Sequence, residues 1–509
     1  MKTLKYIALL IVGVSLFSCD VDYYSDPNQP EIAPTYGIMN RVQKRFMDYT
    51  RDEWVSGRQS LLWVQYWNQV NYTEEDRFQY RETVNKRGWD DLYKNAQDLH
   101  DLIALNTDEA TKGDMAQYGP NVNQIAAARI MLVFVYLNAV ELWGDVPYSS
   151  YGNDDPSFQA NKLKTDGIDK PAYARQADIY ADLLKELNEA QASIETSEKM
   201  IDGDNFYGGD AAKWKKFANS LRLRIANRVK DVYSGAQAHI TDAIAKGVMA
   251  SNADNAGVTY EANAVNGAPM YRAFVVSARN DFAPSMQFVE LLQGKRGPFG
   301  VEDPRLDIFV ADNEDGYKVG IPLTESNGTV TKFTFESMPG AAILAADYTE
   351  YYMEYSEVCF ILSELNNWDQ SWYEKGVRAS MEKWGVSSAD ITAYMATLPA
   401  ASEETVMMQK YIALYMQPME AWSEYRRTGY PNTIVRPNTP YQYTWKYKKN
   451  GVERDSTVTF TFSPIGGLTD VPERNKYLLN EASINNANVT AAASAIGGDR
   501  QDTKLWWAN

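Results

Sequence analysis

Asn121-Val-Asn-Gln-Ile-Ala-Ala-Ala-Arg-Ile-Met-Leu-Val-Phe-Val-Tyr-Leu-Asn-Ala-Val-Glu-Leu-Trp143 is apolar on nearly every side of a helical wheel, and Gly144 follows it. A helix of that kind is normally buried on most sides, and glycine is its natural stop. The rest of the chain must therefore wrap around it. On the C-terminal side, Tyr173 to Ile194 carries Tyr180, Leu183, Leu184, Leu187, Ala190 and Ile194 on one face. Asp210 reads as the N-cap of a further helix with Trp214, Phe217, Leu221, Ile225 and Val229 as its stripe. Other helices are expected over Ile38–Asn68, broken near Gly57, and over Lys86–Leu105 and Ala236–Lys246.

A second helical block runs from about Tyr348 to Thr428, with helices predicted over Thr349–Leu365, Tyr373–Trp384, Ala389–Thr397 and Glu403–Arg427. Helices in consecutive antiparallel pairs suggest a helical-repeat body, although no clean repeat period is visible. Between the blocks, Asp254 to Pro339 is rich in Gly, Pro and Asn, with strands expected at Tyr317–Leu323 and Thr329–Phe335. Near the C-terminus Tyr441, Tyr443, Trp445 and Tyr447 alternate. Asn450-Gly451 supplies a hairpin turn, and Val458, Phe460 and Phe462 alternate in the return arm. Leu505-Trp506-Trp507 predicts a tail that folds back and docks.

Composition narrows the chemistry. The 509 residues include 50 Lys and Arg against 67 Asp and Glu, a net charge of -17. That balance argues against nucleic acid as a partner. Two cysteines and two histidines allow neither a Cys-based metal cluster nor a three-His site, and no cofactor or metal is expected. The chain holds 13 Trp, 34 Tyr and 17 Phe, so many of its rings carry a polar handle. Lys2 and Lys5 precede an apolar stretch, Ile7 to Phe17, that ends at Ser18-Cys19. This reads as a lipoprotein signal peptide with Cys19 as the lipidated residue. No later segment is expected to span a bilayer, so membrane attachment is assigned to the lipid. The other thiol, Cys359, sits in an apolar run and reads as buried and inert. The division expected is 1–18 signal peptide, 19–34 tether, 35–253 N-terminal helical block, 254–346 irregular insertion, and 347–509 C-terminal helical block with hairpin and tail.

No phosphate loop, dinucleotide fingerprint, Gly-x-Ser-x-Gly or His-Glu-x-x-His is present. The acidic clusters Asn153-Asp154-Asp155 and Asp202-Gly203-Asp204-Asn205 are read as turn chemistry in preference to calcium sites. Glu420 and Glu424 share a helix face, as a glycosidase pair could, but Arg426 and Arg427 beside them favour a salt-linked packing site. Trp63, Tyr66 and Trp67 fall at helical spacing and read as core. Val70 to Gly88 lacks periodicity and mixes rings with charge. It offers flat faces to sugar C–H surfaces and planar groups to hydroxyls.

Several segments together resemble the SusD/RagB family of nutrient-binding outer-membrane lipoproteins of Bacteroidetes, in particular its SusD-like, starch-binding branch. They are the lipobox at Cys19, Trp63-Val-Gln-Tyr66, Trp89-Asp-Asp-Leu-Tyr93, Leu142-Trp-Gly-Asp-Val-Pro-Tyr148, Asp303-Pro-Arg-Leu306, Met353 to Glu364, Tyr373 to Met381 with Trp384-Gly-Val386, Gln409 to Tyr415, Glu420 to Pro431, Arg474-Asn-Lys-Tyr477 and Trp506-Trp507. The resemblance is weakest over Asp254–Ala346. It implies a mainly α fold: a tetratricopeptide-like scaffold of helix pairs with an inserted irregular subdomain and small β-hairpins. It also implies a non-enzymatic, surface-exposed lipoprotein that binds oligosaccharide and delivers it to a SusC-type TonB-dependent transporter. Peptide capture of the RagB kind is one alternative, and a helical glycoside hydrolase is another. The binding residues it suggests are Tyr72, Asp76, Arg77, Tyr80, Arg81 and Trp89 from the early loop, and Tyr271 and Phe274 from the insertion.

Overall fold

A computed structural model describes residues 32–508. The signal peptide, Cys19 and nearly all of the expected tether lie outside the described residues. The first block is a run of helices in which each packs on the next: α1 (Thr35–Thr50), α2 (Glu82–Thr107), α3 (Asn121–Trp143), α4 (Gln176–Ser193), α5 (Ala211–Arg228) and α6 (Ala236–Lys246). The second comprises α7 (Tyr355–Leu365), α8 (Gln370–Lys383), α9 (Ser388–Met395), α10 (Glu403–Ala413) and α11 (Pro418–Thr428), with α7 against α5 joining the two. The helix-pair scaffold is thus present.

Helix α3 is the axis of the first block. Twenty of its 23 residues are buried, flanked by α2 and α4. It is long and apolar enough to cross a membrane, contrary to the expectation that no segment after the leader would be, yet 94% of its most apolar stretch is enclosed by protein. Its interior polar groups are matched: Arg129 pairs with Glu186 at 2.8 Å, and Glu141 accepts from Arg228 at 3.1 Å. Asp210 caps α5 as expected, accepting from the amides of Ala212 and Lys213.

Three antiparallel two-stranded sheets decorate the helices: β1 (Trp67–Gln69) with β3 (Phe282–Pro284), β2 (Ala256–Thr259) with β4 (Thr349–Met353), and the hairpin β5 (Tyr441–Lys449) with β6 (Val452–Phe460). Asn450 and Gly451, both at positive φ, make the hairpin turn as read. Four expectations need correction. Thr349–Met353 is a strand, because its backbone pairs with β2, and helix starts only at Tyr355. Glu403–Arg427 is two helices, because Pro418 opens a new one. The helix predicted to resume after Gly57 is a single turn, Ser60–Trp63. The expected strands at 317–323 and 329–335 do not form. Ile321 makes only an isolated bridge to Ser285, and Asn327–Val330 is a helical turn. The C-terminal tail docks: Leu505 and Trp507 are buried, and Trp507 lies 5.0 Å from the Arg426 guanidinium.

Candidate ligand-binding site

Where α1 ends, Asp52 folds the chain back. Its Oδ1 accepts from the amides of Trp54 at 3.0 Å and Val55 at 2.8 Å, and its Oδ2 accepts from Arg87 on α2 at 2.6 Å. Burial raises the Asp52 carboxyl to about 6 against the opposing pull of Arg87. Gly57 closes the turn. A Cβ there would stand 2.6 Å from the Glu53 carbonyl, so only glycine fits. The result is to present Trp54, which remains 38% exposed.

The Trp54 ring has a built support. The Arg58 guanidinium lies 4.3 Å from its centroid and also 5.4 Å from Phe282. Arg58 is fixed by the Glu53 carbonyl at 2.7 Å and by Glu75 and Asp281 at 3.5 and 3.8 Å. Arg279, paired to Asp281, stands 5.8 Å from the same ring. Two clefts meet at Trp54. One, of about 260 Å³, is lined by Asp48, Asp52, Arg87, Arg272 and Ser277. The other, of about 490 Å³, is lined by Arg45, Tyr49, Lys86, Asp90 and Lys94. A single π-turn, Arg272–Val276, supplies the far wall of the first cleft and leaves Val275 and Val276 exposed.

The residues predicted from sequence separate into two groups. Tyr72 is 61% exposed and held at φ 59°, with its amide donating to Asn327 Oδ1 at 2.9 Å. Arg77 donates to the Glu325 carbonyl at 3.1 Å, tying this loop to the insertion. Arg81 and Arg58 share Oε1 of Glu75, which links the predicted segment to the Trp54 support. Tyr80, half-buried, donates to Glu82 at 2.6 Å. Tyr271 is half-buried on the turn that carries Arg272. The second group is inside. Asp76 accepts from the Gln69 amide at 2.7 Å, and burial holds its carboxyl well above the usual range. Trp89 is 7% exposed, with Tyr93 at 4.7 Å and Trp143 at 5.0 Å against its ring. Phe274 is buried, edge-on to Trp67 at 5.6 Å. Trp54, Arg58, Arg272 and Arg279 escaped the sequence reading. The signal was Arg51-Asp-Glu-Trp-Val-Ser-Gly57, a ring among charges at a helix break, the same mixture that singled out Val70–Gly88.

The remaining chemical candidates are structural. Glu420 and Glu424 are both buried and paired to Arg228, Lys410 and Arg427. Asp155 accepts from the amide and hydroxyl of Ser157. Asp204 accepts from the amides of Phe206, Tyr207 and Gly209. Both are the turn chemistry expected of them. Among the described residues no three His, Cys, Asp or Glu side chains are grouped to hold a metal ion. Cys359 is buried, which pushes its thiol up to about 12.

Similar architecture occurs in solved structures. A chitin-binding protein superposes with a TM-score of 0.72 at 24% identity, covering 93% of this chain and 100% of its own. A chitin-binding SusD homolog from Flavobacterium johnsoniae gives 0.71 at 22%, covering 93% and 98%. A SusD homolog from Parabacteroides distasonis gives 0.73 at 21%, covering 93% and 98%. At these identities the likeness establishes the fold. No curated protein sequence is detectably similar. Residues 399–508 match the SusD and RagB outer membrane lipoprotein family. Residues 27–444, most of the chain, match the SusD-like family described as starch-binding and associating with the outer membrane, and it is to this family of carbohydrate-binding, outer-membrane proteins that the chain belongs.

Proposed function

We propose that the protein captures an oligosaccharide on the surface formed by Trp54 and Tyr72 and passes it, uncleaved, to a SusC-type TonB-dependent transporter, held at the cell surface by lipid on Cys19. The observation that carries this reading is the exposed Trp54 ring backed by Arg58. A flat ring held outward stacks on the C–H face of a pyranose, while Asp48, Asp52, Arg87 and Arg272 around the adjoining cleft offer planar partners to its hydroxyls. The one carboxylate pair singled out from sequence, Glu420 and Glu424, is locked in the core. The net charge of -17 disfavours polyanionic glycans. Two structural relatives are described as chitin-binding, which makes chito-oligosaccharides the first probe beside starch fragments.

The test is affinity electrophoresis and titration calorimetry with both ligand series, for wild type and Trp54→Ala, alongside a reducing-end assay. Saturable binding lost in the variant, with no reducing ends released, is expected. Undiminished binding by Trp54→Ala removes the site from this surface. Release of reducing ends makes the protein a hydrolase. Binding of peptides but of no glycan makes it a peptide-capture protein.

A further inference from the structure

Helix α1 leads away from the Trp54 cleft with a polar stripe. Tyr36, Asn40, Lys44 and Asp48 recur every fourth residue and so share one face, all exposed or half-buried. From Tyr36 to Asp48 the stripe is about 18 Å long, the length of several pyranose rings end to end.

Each position on it meets a feature suited to a sugar. Asp48, at the cleft end, accepts from Arg272 at 2.6 Å and from the Tyr260 hydroxyl at 3.0 Å, and pairs with Lys44 at 2.7 Å. These contacts join the 260 Å³ Trp54 cleft, which Asp48 and Arg272 line, to a third cleft of about 200 Å³, which Lys44 and Tyr260 line. That third cleft is lined by the amides of Asn40, Asn205 and Asn266 together with Lys44, Tyr260 and Glu261, whose carboxylate accepts from Asn266 at 3.1 Å. Asn40 Nδ2 donates to Asn205 Oδ1 at 3.4 Å and Asn205 Nδ2 to the Asn40 backbone carbonyl at 3.5 Å, both long hydrogen bonds that an incoming hydroxyl can replace. At the far end Tyr36 is 42% exposed, its ring 5.0 Å from that of Tyr118. Gly203 packs against the Tyr36 backbone, where a Cβ would stand 2.7 Å from its carbonyl oxygen, so the Asn205 turn is seated on the helix.

We infer that α1 is a linear binding track, with Trp54 at one end, an amide-lined cleft in the middle and the Tyr36–Tyr118 pair at the other, and that the ligand is an extended, uncharged oligosaccharide spanning all three. The inference rests on the Trp54 reading and adds to it a ligand length and a second stacking site. The guanidinium-backed Trp54 ring at one end and the Tyr36–Tyr118 ring pair at the other fix the two termini of a chain, while amides in the middle bond its hydroxyls.

The experiment is calorimetry on the purified protein with the trimer and hexamer of the chito- and malto-series. Wild type should bind the hexamer of its preferred series about tenfold more tightly than the trimer, some 1.4 kcal/mol. Tyr36→Ala and Asn205→Ala, both at exposed positions, should lower hexamer affinity about fivefold and leave trimer affinity within about twofold. Trp54→Ala should weaken both lengths. A hexamer no tighter than the trimer, or wild-type hexamer affinity in both Tyr36→Ala and Asn205→Ala, overturns the track. In that case the Trp54 site stands if Trp54→Ala still weakens the trimer. If neither series binds at any length, site and track fall together.

Discussion

Nη2 of Arg228 on α5 donates to Oε1 of Glu420 on α11 at 2.5 Å, across the seam between the two helical blocks. The same guanidinium reaches Glu141 on α3 at 3.1 Å and Glu424 on α11, and Glu424 accepts from Lys410 on α10 at 2.7 Å. One turn earlier Arg224 pairs with Glu357 on α7. A face of carboxylates that could have suggested catalysis is in fact what fastens five helices together.

Removing the centre of that cluster leaves several buried carboxylates undercompensated. Arg228→Met should therefore cost roughly 3–5 kcal/mol of unfolding free energy, read from denaturant titration. A loss below about 1 kcal/mol would mean that the surrounding cations reorganise around the carboxylates and that Arg228 is not the fastener.

Glu350 on β4 is buried with neither carboxylate oxygen hydrogen-bonded, facing Arg51, Lys383 and Asp48. Burial raises it to about 8 in the folded protein, against an ordinary value of 4.5. The folded state then holds a proton that the unfolded chain releases, so stability falls as pH rises from about 4.5 to about 8. Glu350→Gln mimics the protonated form. It should raise stability by roughly 2–3 kcal/mol near pH 8.5 and leave it unchanged near pH 4, measured as thermal melts at the two pH values. An equal effect at both would assign the change to packing and not to charge.

These groups show what a sequence can and cannot disclose. Helix α3, the Asp210 cap, the Asn450-Gly451 hairpin and the docked tail were legible because each depends on neighbours in sequence: an unbroken apolar run, a cap residue, a turn dipeptide, a terminal aromatic pair. The strand at Thr349–Met353 was not, because its backbone partner, β2, lies some ninety residues earlier. The site was half legible. The mixture of rings and charge marked the segment around Tyr72, but which ring faces water is decided by remote packing. Trp89 lost its freedom to Trp143 on α3, whereas Trp54 kept its own because Arg58 and Gly57 hold the loop out.

The docked tail should carry real stability. Trp507 is buried, within 5.0 Å of the Arg426 guanidinium and 5.2 Å of Arg228, so the tail covers the charge cluster from outside. Trp507→Ala should lower the unfolding free energy by about 3–5 kcal/mol. Because the tail packs against the charge cluster and not against Trp54, oligosaccharide affinity of the folded variant should be unaltered. A ligand defect in fully folded Trp507→Ala would place the tail in the binding surface.

Tyr72 and Trp89 separate function from packing most sharply. Tyr72 holds a left-handed backbone, φ 59°, that a residue with a Cβ adopts at a cost of roughly 1–2 kcal/mol, while the residue is 61% exposed and contributes little to the core. Tyr72→Gly relieves that strain and removes the ring. It should leave the melting temperature equal or slightly raised while oligosaccharide affinity drops about tenfold, because strain held at an exposed aromatic is retained for what the ring touches. Trp89→Ala should do the reverse. The ring lies between Tyr93 and Trp143, so its loss should cost about 3–5 kcal/mol in unfolding yet leave the affinity of the folded fraction near wild type. Thermal melts and calorimetry on both variants decide the matter. If Trp89→Ala loses affinity without losing stability, the ligand enters between the helices and the Trp54 surface is the wrong place to look. If Tyr72→Gly loses stability without losing affinity, its loop is a structural clasp on the insertion.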